Sequence, residues 1–204
     1  SVTRPITNLD LPESLNQLLS ARLARLGTAL NSVFQVASVI GPVFWFNILQ
    51  ALLPENTNLK PDLAALVEAG LIERVGRNAS LGTQYQVRLP LLRETAYESI
   101  IASQRAALHL RVAQMLEAIN PVDLPGYDSL LAFHYRGAND PNKELFYTLL
   151  AADQARAIFA NSEALTYTQR AIDLIESLLE NAASETQREL LLGQCFETLN
   201  QQRF

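Results

Sequence analysis

Residues 66–89 have the sequence LVEAGLIERVGRNASLGTQYQVRL, and the architecture predicted for the first half of the chain depends on them. An apolar helical pattern ends at Gly70, because glycine adopts the left-handed conformation of a helix C-terminal cap without strain. Residues 71–75 and 84–89 are typical of strands, and the polar, glycine-containing segment between them favours a turn. We therefore predict a glycine-capped helix followed by a β-hairpin, the only β-structure expected in the chain.

Three further helices are predicted before this segment, and the third of them begins at Phe44. Each of the three ends at a glycine or a proline, at Gly27, Gly41-Pro42 and Pro54 in chain order. Glycine and proline are the strongest local signals for the end of a helix. Three helices, a glycine-capped helix and a hairpin occur in this order in a winged helix. The sequence therefore predicts a winged-helix domain with a leading helix over residues 1–102.

The second half of the chain is predicted to be helical throughout. Helices are expected over about 128–137, 142–159, 161–179 and 184–203. Small residues at 152, 164 and 171 have the spacing of a tetratricopeptide repeat, in which two antiparallel helices approach closely. We therefore predict tetratricopeptide-like helical repeats over residues 103–204, truncated at the C-terminus, in a chain that is mainly α.

Composition narrows the functional classes. Apolar residues make up 49% and charged residues 18% of the 204, an ordinary globular balance. Residues 1–90 have a net charge of +1 and residues 91–204 a net charge of −6. An acidic second half repels a phosphate backbone.

No apolar run is long enough to cross a bilayer, and there is no signal peptide, so we expect no membrane contact and a cytoplasmic location. The chain lacks an initiator Met and stops inside a helical pattern, so we expect a piece of a longer protein.

No catalytic, metal-binding or cofactor-binding constellation is predicted. Cys195 is the single cysteine, and His109 and His134 are the only histidines. Each histidine lies in a helical pattern, where a structural role is the default, and Cys195 lacks a neighbouring histidine that would activate it. Glu94 and Glu98 are one helical turn apart, but no base or nucleophile accompanies them. The phosphate-binding loop Gly-x-x-x-x-Gly-Lys-Ser/Thr is also absent.

The helix over residues 61–69 occupies the position of a DNA-recognition helix, but its composition argues against DNA binding. Contacts to phosphates and bases need Arg, Lys, Asn or Gln along the exposed face. This helix offers Asp62 and Glu68, with only Lys60 at its edge. A winged-helix DNA-binding transcriptional regulator therefore stays the alternative function, and an enzyme with an unrecognised site is the third.

Several short runs of sequence carry a resemblance to a known family. They are residues 11–15 (LPESL), 21–26 (ARLARL), 35–41 (QVASVIG) with Phe44, 66–72 (LVEAGLI), 85–88 (YQVR), 91–94 (LLRE), 97–99 (YES), and His109 with Ala113. Over about residues 10–180 the chain resembles the signal-transducing NTPases with numerous domains, especially bacterial ones linked to adenylate cyclases or transcriptional regulators. In that family an ATPase domain precedes the winged helix, and helical repeats follow it.

The resemblance implies that this chain begins just after the nucleotide-binding domain. ATP or ADP would then be bound by the parent protein, and any nucleotide cyclase domain would also lie elsewhere in it. The family often has a nucleotide-sensing histidine at the position of Leu89, which Pro90 follows here. An aliphatic side chain cannot donate a hydrogen bond to a phosphate, so no cofactor-binding residue is expected in this chain.

The expected function is therefore regulation through protein contacts. The winged helix would dock on the adjacent ATPase domain of the same chain and hold it inactive. The helical repeats would bind an unidentified protein or ligand. Four aromatic residues of the second half are the candidate partner surface: Tyr135, Tyr147, Phe159 and Tyr167.

Overall fold

The computed structural model describes residues 13–118 and 126–180, with the backbone alone for residues 13–16. The chain divides into two compact units, Ser1–Ala102 and Ser103–Phe204. The described residues are mainly helical, with one small antiparallel sheet of three strands in the first unit. The helix predicted over residues 184–203, with Cys195, lies outside the described residues.

The described part of the first unit contains five helices. They are α1 (Glu13–Ala24), α2 (Gly27–Ile40), α3 (Phe46–Leu52), α4 (Leu59–Glu68) and α5 (Pro90–Glu98). The apolar face of α2 is buried, with Phe34 and Ala37 fully inaccessible to solvent. Gly70 has a φ of +68°, and the amide of Leu71 donates a 3.0 Å hydrogen bond to the Leu66 carbonyl. The glycine cap predicted for the end of α4 is therefore confirmed.

The predicted hairpin is also confirmed, but it pairs with a third strand that the sequence did not predict. The strands are β1 (Val43–Trp45), β2 (Ile72–Asn78) and β3 (Gly82–Val87), and β3 lies between the other two. Phe44 lies opposite Tyr85, and their rings stack with centroids 5.5 Å apart. Phe44 therefore belongs to a strand, and the prediction that it begins a helix was wrong. The helix α3 starts two residues later, at Phe46.

The hairpin turn is anchored to α3. Asn78 accepts hydrogen bonds from the backbone amides of Ser80 and Leu81 at 2.9 and 3.0 Å. The side chain of Asn47 donates to the Ser80 carbonyl at 2.9 Å, and its backbone amide donates to Leu81. Gly82 has a φ of +80°, a conformation that favours glycine. These contacts fix the turn between β2 and β3 against the start of α3.

The described part of the second unit consists of four helices. They are α6 (Ala102–Glu117, whose first residue belongs to the first unit), α7 (Tyr127–Gly137), α8 (Pro141–Ala157) and α9 (Asn161–Glu180). Three-residue turns join α7 to α8 and α8 to α9, so consecutive helices run antiparallel. The small residues Ala152, Ala164 and Ala171 are buried, as close helix packing requires. Leu145 and Leu174 pack beside Ala171.

Candidate functional site

Leu89, the position of the nucleotide-sensing histidine in the family that the chain resembles, lies directly before α5. Its backbone is extended, with a φ of −120° and a ψ of 90°, and its side chain makes no capping hydrogen bond. The side chain is half-buried. Leu89 can therefore contribute an apolar contact at this position but no hydrogen bond to a nucleotide.

The exposed side of α4 carries charges of both signs around a small apolar area. Lys60, Pro61, Ala64 and Glu68 are exposed, whereas Leu63 and Leu66 on the opposite side are buried. One cation and one anion flank a small apolar area formed by Pro61 and Ala64. Such a surface suits contact with another protein surface better than contact with a row of phosphates.

The hairpin beside α4 carries three arginines. Arg74 and Arg77 on β2 are exposed, as is Val75 between them. Arg88 lies 3.9 Å from Glu73, and both side chains of this pair are about half exposed to solvent. An ion pair of this kind contributes little stability, so Arg88 remains accessible to a partner.

The four aromatic residues predicted as a partner surface do not lie on one surface. Tyr135 and Tyr147 are buried, and their rings are parallel with centroids 5.6 Å apart. Tyr167 is half-buried and lines an open depression on α9 with Ser162, Glu163 and Thr166. Phe159 alone is fully presented to solvent. Tyr135 and Tyr147 are therefore interior residues, because helical spacing places them between α7 and α8.

The two buried tyrosines belong to a polar cluster built around Glu117. The Glu117 carboxylate accepts hydrogen bonds from the Tyr147 hydroxyl at 2.7 Å and from Lys143 Nζ at 2.6 Å. Lys143 also lies 5.3 Å from the centre of the Tyr135 ring. Burial, and next the hydrogen bond to Glu117, raise the pKa of both tyrosines. Both hydroxyls therefore stay protonated at neutral pH and act as hydrogen-bond donors, and the cluster links α6 to α8.

A second carboxylate joins three helices. Glu144 on α8 is buried, and its Oε1 atom lies 2.7 Å from both Nε and Nη2 of Arg170 on α9. Arg136 on α7 approaches the same oxygen at 3.6 Å. The Glu144 carboxylate thus contacts guanidinium groups from both neighbouring helices, and these contacts fix the positions of α7 and α9 relative to α8.

The structure brings the two histidines together, although 25 residues separate them in the sequence. His109 on α6 and His134 on α7 are buried, and their Nδ1 atoms are 3.0 Å apart. Phe133 presents its ring edge-on to both. Burial, and next the positive charge of Arg105, lower the pKa of His109 to about 4. The His109 ring is therefore neutral at pH 7, and a hydrogen bond between the two Nδ1 atoms requires one of them to carry a proton and the other to accept it.

Gly137 lets the two histidine-bearing helices approach. A Cβ atom added at Gly137 would lie 2.6 Å from Nε2 of His109, a distance that real Cβ atoms do not show. The His109 ring therefore occupies the space where any other residue at position 137 would place its side chain. Glycine is present here for packing, since Gly137 is the last residue of α7 and its φ is negative.

The surface of the second unit exposes several large apolar side chains. Ile158 is 73% exposed, Phe159 86% and Leu165 70%, all at or near the turn between α8 and α9.

Phe159 has a φ of +61°, which is unusual for a bulky residue and costs free energy. The sequence predicted that α8 would continue to Phe159, but the helix ends at Ala157. The helix ends early because Phe159 adopts this left-handed conformation and reverses the chain.

Glu117, Glu144 and Gly137 were not singled out from the sequence. Their partners lie on other helices, and all but Arg136 are 26 to 30 residues away in the sequence. No local spacing signals such pairs. Knowledge of which helix faces meet would be needed to find them.

Within residues 13–118 and 126–180, no single helix has the length and hydropathy of a membrane span, and no side-chain cluster has the composition of a metal site. No single helix in this part of the chain is long and apolar enough to cross a membrane, and the one pair that passes together, Gln17–Ala24 with Gly27–Ile40, is bent by 119°. No group of three or more His, Cys, Asp or Glu side chains in the same residues could hold a metal ion.

Comparison with known proteins gives one distant relative. No family model matches the chain, and no solved structure matches it. An uncharacterized protein of Rhizobium meliloti (strain 1021) is 27% identical over 184 residues. The aligned region covers 88% of this chain and 17% of that protein. The chain therefore spans about a sixth of the length of the relative it matches.

Proposed function

We propose that this chain is a non-catalytic regulatory and protein-interaction module, a winged-helix unit followed by tetratricopeptide-like helix pairs, within a larger signalling ATPase. The observation that carries the proposal is the exposed apolar surface around Ile158, Phe159 and Leu165. Large apolar side chains exposed within one short stretch of the chain are a candidate site for a protein partner. We name these three residues the α8–α9 surface.

The order of elements supports the winged-helix part of the proposal. From α2 to β3 the chain runs helix, strand, helix, helix, strand, strand, and the first strand pairs with the last. This is the order of a winged helix, in which α4 takes the place of the recognition helix and β2 and β3 form the wing.

The exposed side of α4 supports docking on a protein. Pro61 and Ala64 form an apolar area there, flanked by Lys60 on one side and by Glu68 and the partly exposed Asp62. A preceding ATPase domain of the same chain is the partner that the family resemblance implies for this surface. Docking of the winged helix would hold that domain inactive, and ATP or ADP would be bound by the parent protein.

The second unit supports the helical-repeat part of the proposal. The helices α8 and α9 pack antiparallel around buried Ala152, Ala164 and Ala171, which is the small-residue spacing of a tetratricopeptide repeat. Binding of a protein or ligand at the α8–α9 surface would bias the docking of the first unit, provided that the ligand binds the docked and undocked states with different affinity. The much greater length of the relative is consistent with a module of a larger protein.

A winged-helix DNA-binding regulator is the second candidate, favoured by the exposed Arg74 and Arg77 on the hairpin. In a winged helix both would lie where the wing contacts a DNA backbone. The proposal for docking is preferred because α4 itself offers one cation and no amide side chain on its exposed face.

The test measures the Kd between chain 1–204 and a separately produced ATPase domain. The ATPase domain that the proposal places before residue 1 in the parent protein is produced separately and titrated with chain 1–204, wild type and Ala64→Arg. Because the substitution places a charge in the apolar area of α4, the Kd is expected to rise about tenfold. The control Ala107→Arg makes the same change at an exposed position of α6 and should leave the Kd unchanged.

The second arm of the test uses duplex DNA at low salt. Chain 1–204 is expected to give no mobility shift. A shift that Arg74→Ala and Arg77→Ala abolish, together with no binding in trans, would replace the docking proposal with the DNA-binding alternative.

A further inference from the structure

The attachment of α6 to the rest of the second unit depends on two polar contacts besides apolar packing. The His109 ring meets His134 of α7 near the middle of α6, and Glu117 meets Lys143 and Tyr147 of α8 at its end. Val112 and Leu116 supply buried apolar contact between these two points. Both polar contacts involve groups that titrate, so the strength of the attachment depends on pH.

We propose that the His109–His134 contact is a pH-sensitive latch, which holds the middle of α6 against α7 at neutral pH and releases it on acidification. The two Nδ1 atoms at 3.0 Å can share a hydrogen bond only if one carries a proton and the other does not. Two protonated rings would turn two N–H groups toward each other and break the contact. The geometry therefore permits the latch only when the pair is not fully protonated.

Protonation of even one ring is unfavourable in the closed latch. The added charge would lie in a site that excludes water, since His109 is 1% exposed and His134 is fully buried. Arg105, one turn earlier on α6, already places a positive charge near His109, and α7 brings His134 and the uncharged Phe133 to the pair. Separation of α6 from α7 would return both rings to water and remove this cost.

The pKa of His109 sets the pH range of the latch. Burial and Arg105 lower this pKa in the folded protein to about 4, from the ordinary value of 6.5. The open state therefore binds more protons than the closed state between these two values, and the closed state loses stability as the pH falls through that range. From pH values well above 6.5 to values well below 4, this one group is expected to raise the ratio of open to closed protein by about 300-fold in all.

The contact at Glu117 is expected to persist while the latch opens. Burial of its carboxylate acts to raise its pKa, but hydrogen bonds from Lys143, Tyr147 and Tyr135 outweigh burial and leave the pKa below its ordinary value. Glu117 therefore stays ionised and paired at pH values where His109 has begun to accept a proton. The middle of α6 would then open around a fixed point at its C-terminal end.

The test is hydrogen exchange of the full chain at pH 7.0, 5.5 and 4.5, with each rate corrected for the pH dependence of intrinsic amide exchange. The amides of the middle of α6 are expected to lose protection as the pH falls, by up to about tenfold per pH unit. The protection of the amides of α9 and α2 should not change with pH. Constant protection of α6, or an equal loss in all helices, overturns the latch.

A double variant provides the control. His109→Gln with His134→Gln keeps hydrogen-bonding side chains at both positions but removes their titration, so α6 protection should no longer depend on pH between 4.5 and 7.0. Persistence of the pH dependence in a folded double variant overturns the proposal. If the double variant does not fold, NMR titration of wild-type His109 decides instead: in the folded protein its ring must titrate near pH 4, at the lower end of the range over which α6 loses protection, and titration near pH 6.5 contradicts the latch.

Discussion

Replacing Gly137 by alanine is expected to destabilise the second unit by about 3 kcal/mol, the upper end of the range for overpacked cores. The new Cβ atom would collide with the ring of His109, which is buried and held by His134, so the ring has no free space to occupy. The measurement is chemical denaturation followed by circular dichroism. Trp45, the single tryptophan, lies in the first unit, and its fluorescence transition should not move.

The same substitution in a His109→Ala protein is expected to have the opposite effect on stability. In a His109→Ala protein the colliding ring is gone, and the helix propensity of alanine exceeds that of glycine by about 1 kcal/mol. Gly137→Ala should therefore stabilise the His109→Ala protein, although it destabilises the wild type. Equal destabilisation in both backgrounds would show that His109 does not fill the space above Gly137.

The second large effect is expected at Arg170. Arg170→Met should cost about 3 kcal/mol of unfolding free energy, because it leaves the buried Glu144 carboxylate without its closest positive partner. The apolar stem of the side chain is largely kept by methionine, so the loss of the guanidinium dominates. Denaturation followed by circular dichroism measures the effect.

Arg136→Met is the matched control for Arg170. It removes the other guanidinium near Glu144, but Arg136 is 60% exposed and lies 3.6 Å from the carboxylate. A surface ion pair of this kind contributes less than about 1 kcal/mol. Equal costs for the two substitutions would mean that Glu144 does not depend on Arg170 for its burial.

The helices and the hairpin could be predicted from the sequence because glycine and proline mark where they end. Gly70 caps α4, Gly41 ends α2, and the turn between α7 and α8 consists of the small or polar residues 138–140. These signals act within a few residues of the chain. They do not depend on the rest of the fold.

The strand β1 could not be predicted because its conformation is set by a distant partner. Residues 43–45 continue into an apolar run that helical spacing also fits, and three residues are too few to show the alternation of a strand. Pairing with residues 84–86, about forty positions later, decides between the two conformations. The preceding Gly41-Pro42 marked the end of a helix but did not indicate that a strand comes after it.

The interior of the second unit was unpredictable for the same reason. Tyr135 and Tyr147 were predicted as surface aromatics because residue type alone does not show which face of a helix is covered. Their rings instead stack between α7 and α8, while Phe159 is exposed because it lies in a turn. His109 and His134 were each correctly placed on a helix, but their contact depends on how α6 and α7 pack.

The most direct test of the proposed function is the rate of ATP hydrolysis by the full-length natural protein, with and without residues 1–204. If this segment holds an ATPase domain inactive, its deletion should raise the rate about tenfold, within the range of known coupling free energies. Chain 1–204 alone should hydrolyse no ATP. An unchanged rate after deletion, a full-length protein that does not bind ATP, or hydrolysis by the isolated chain would contradict the regulatory role.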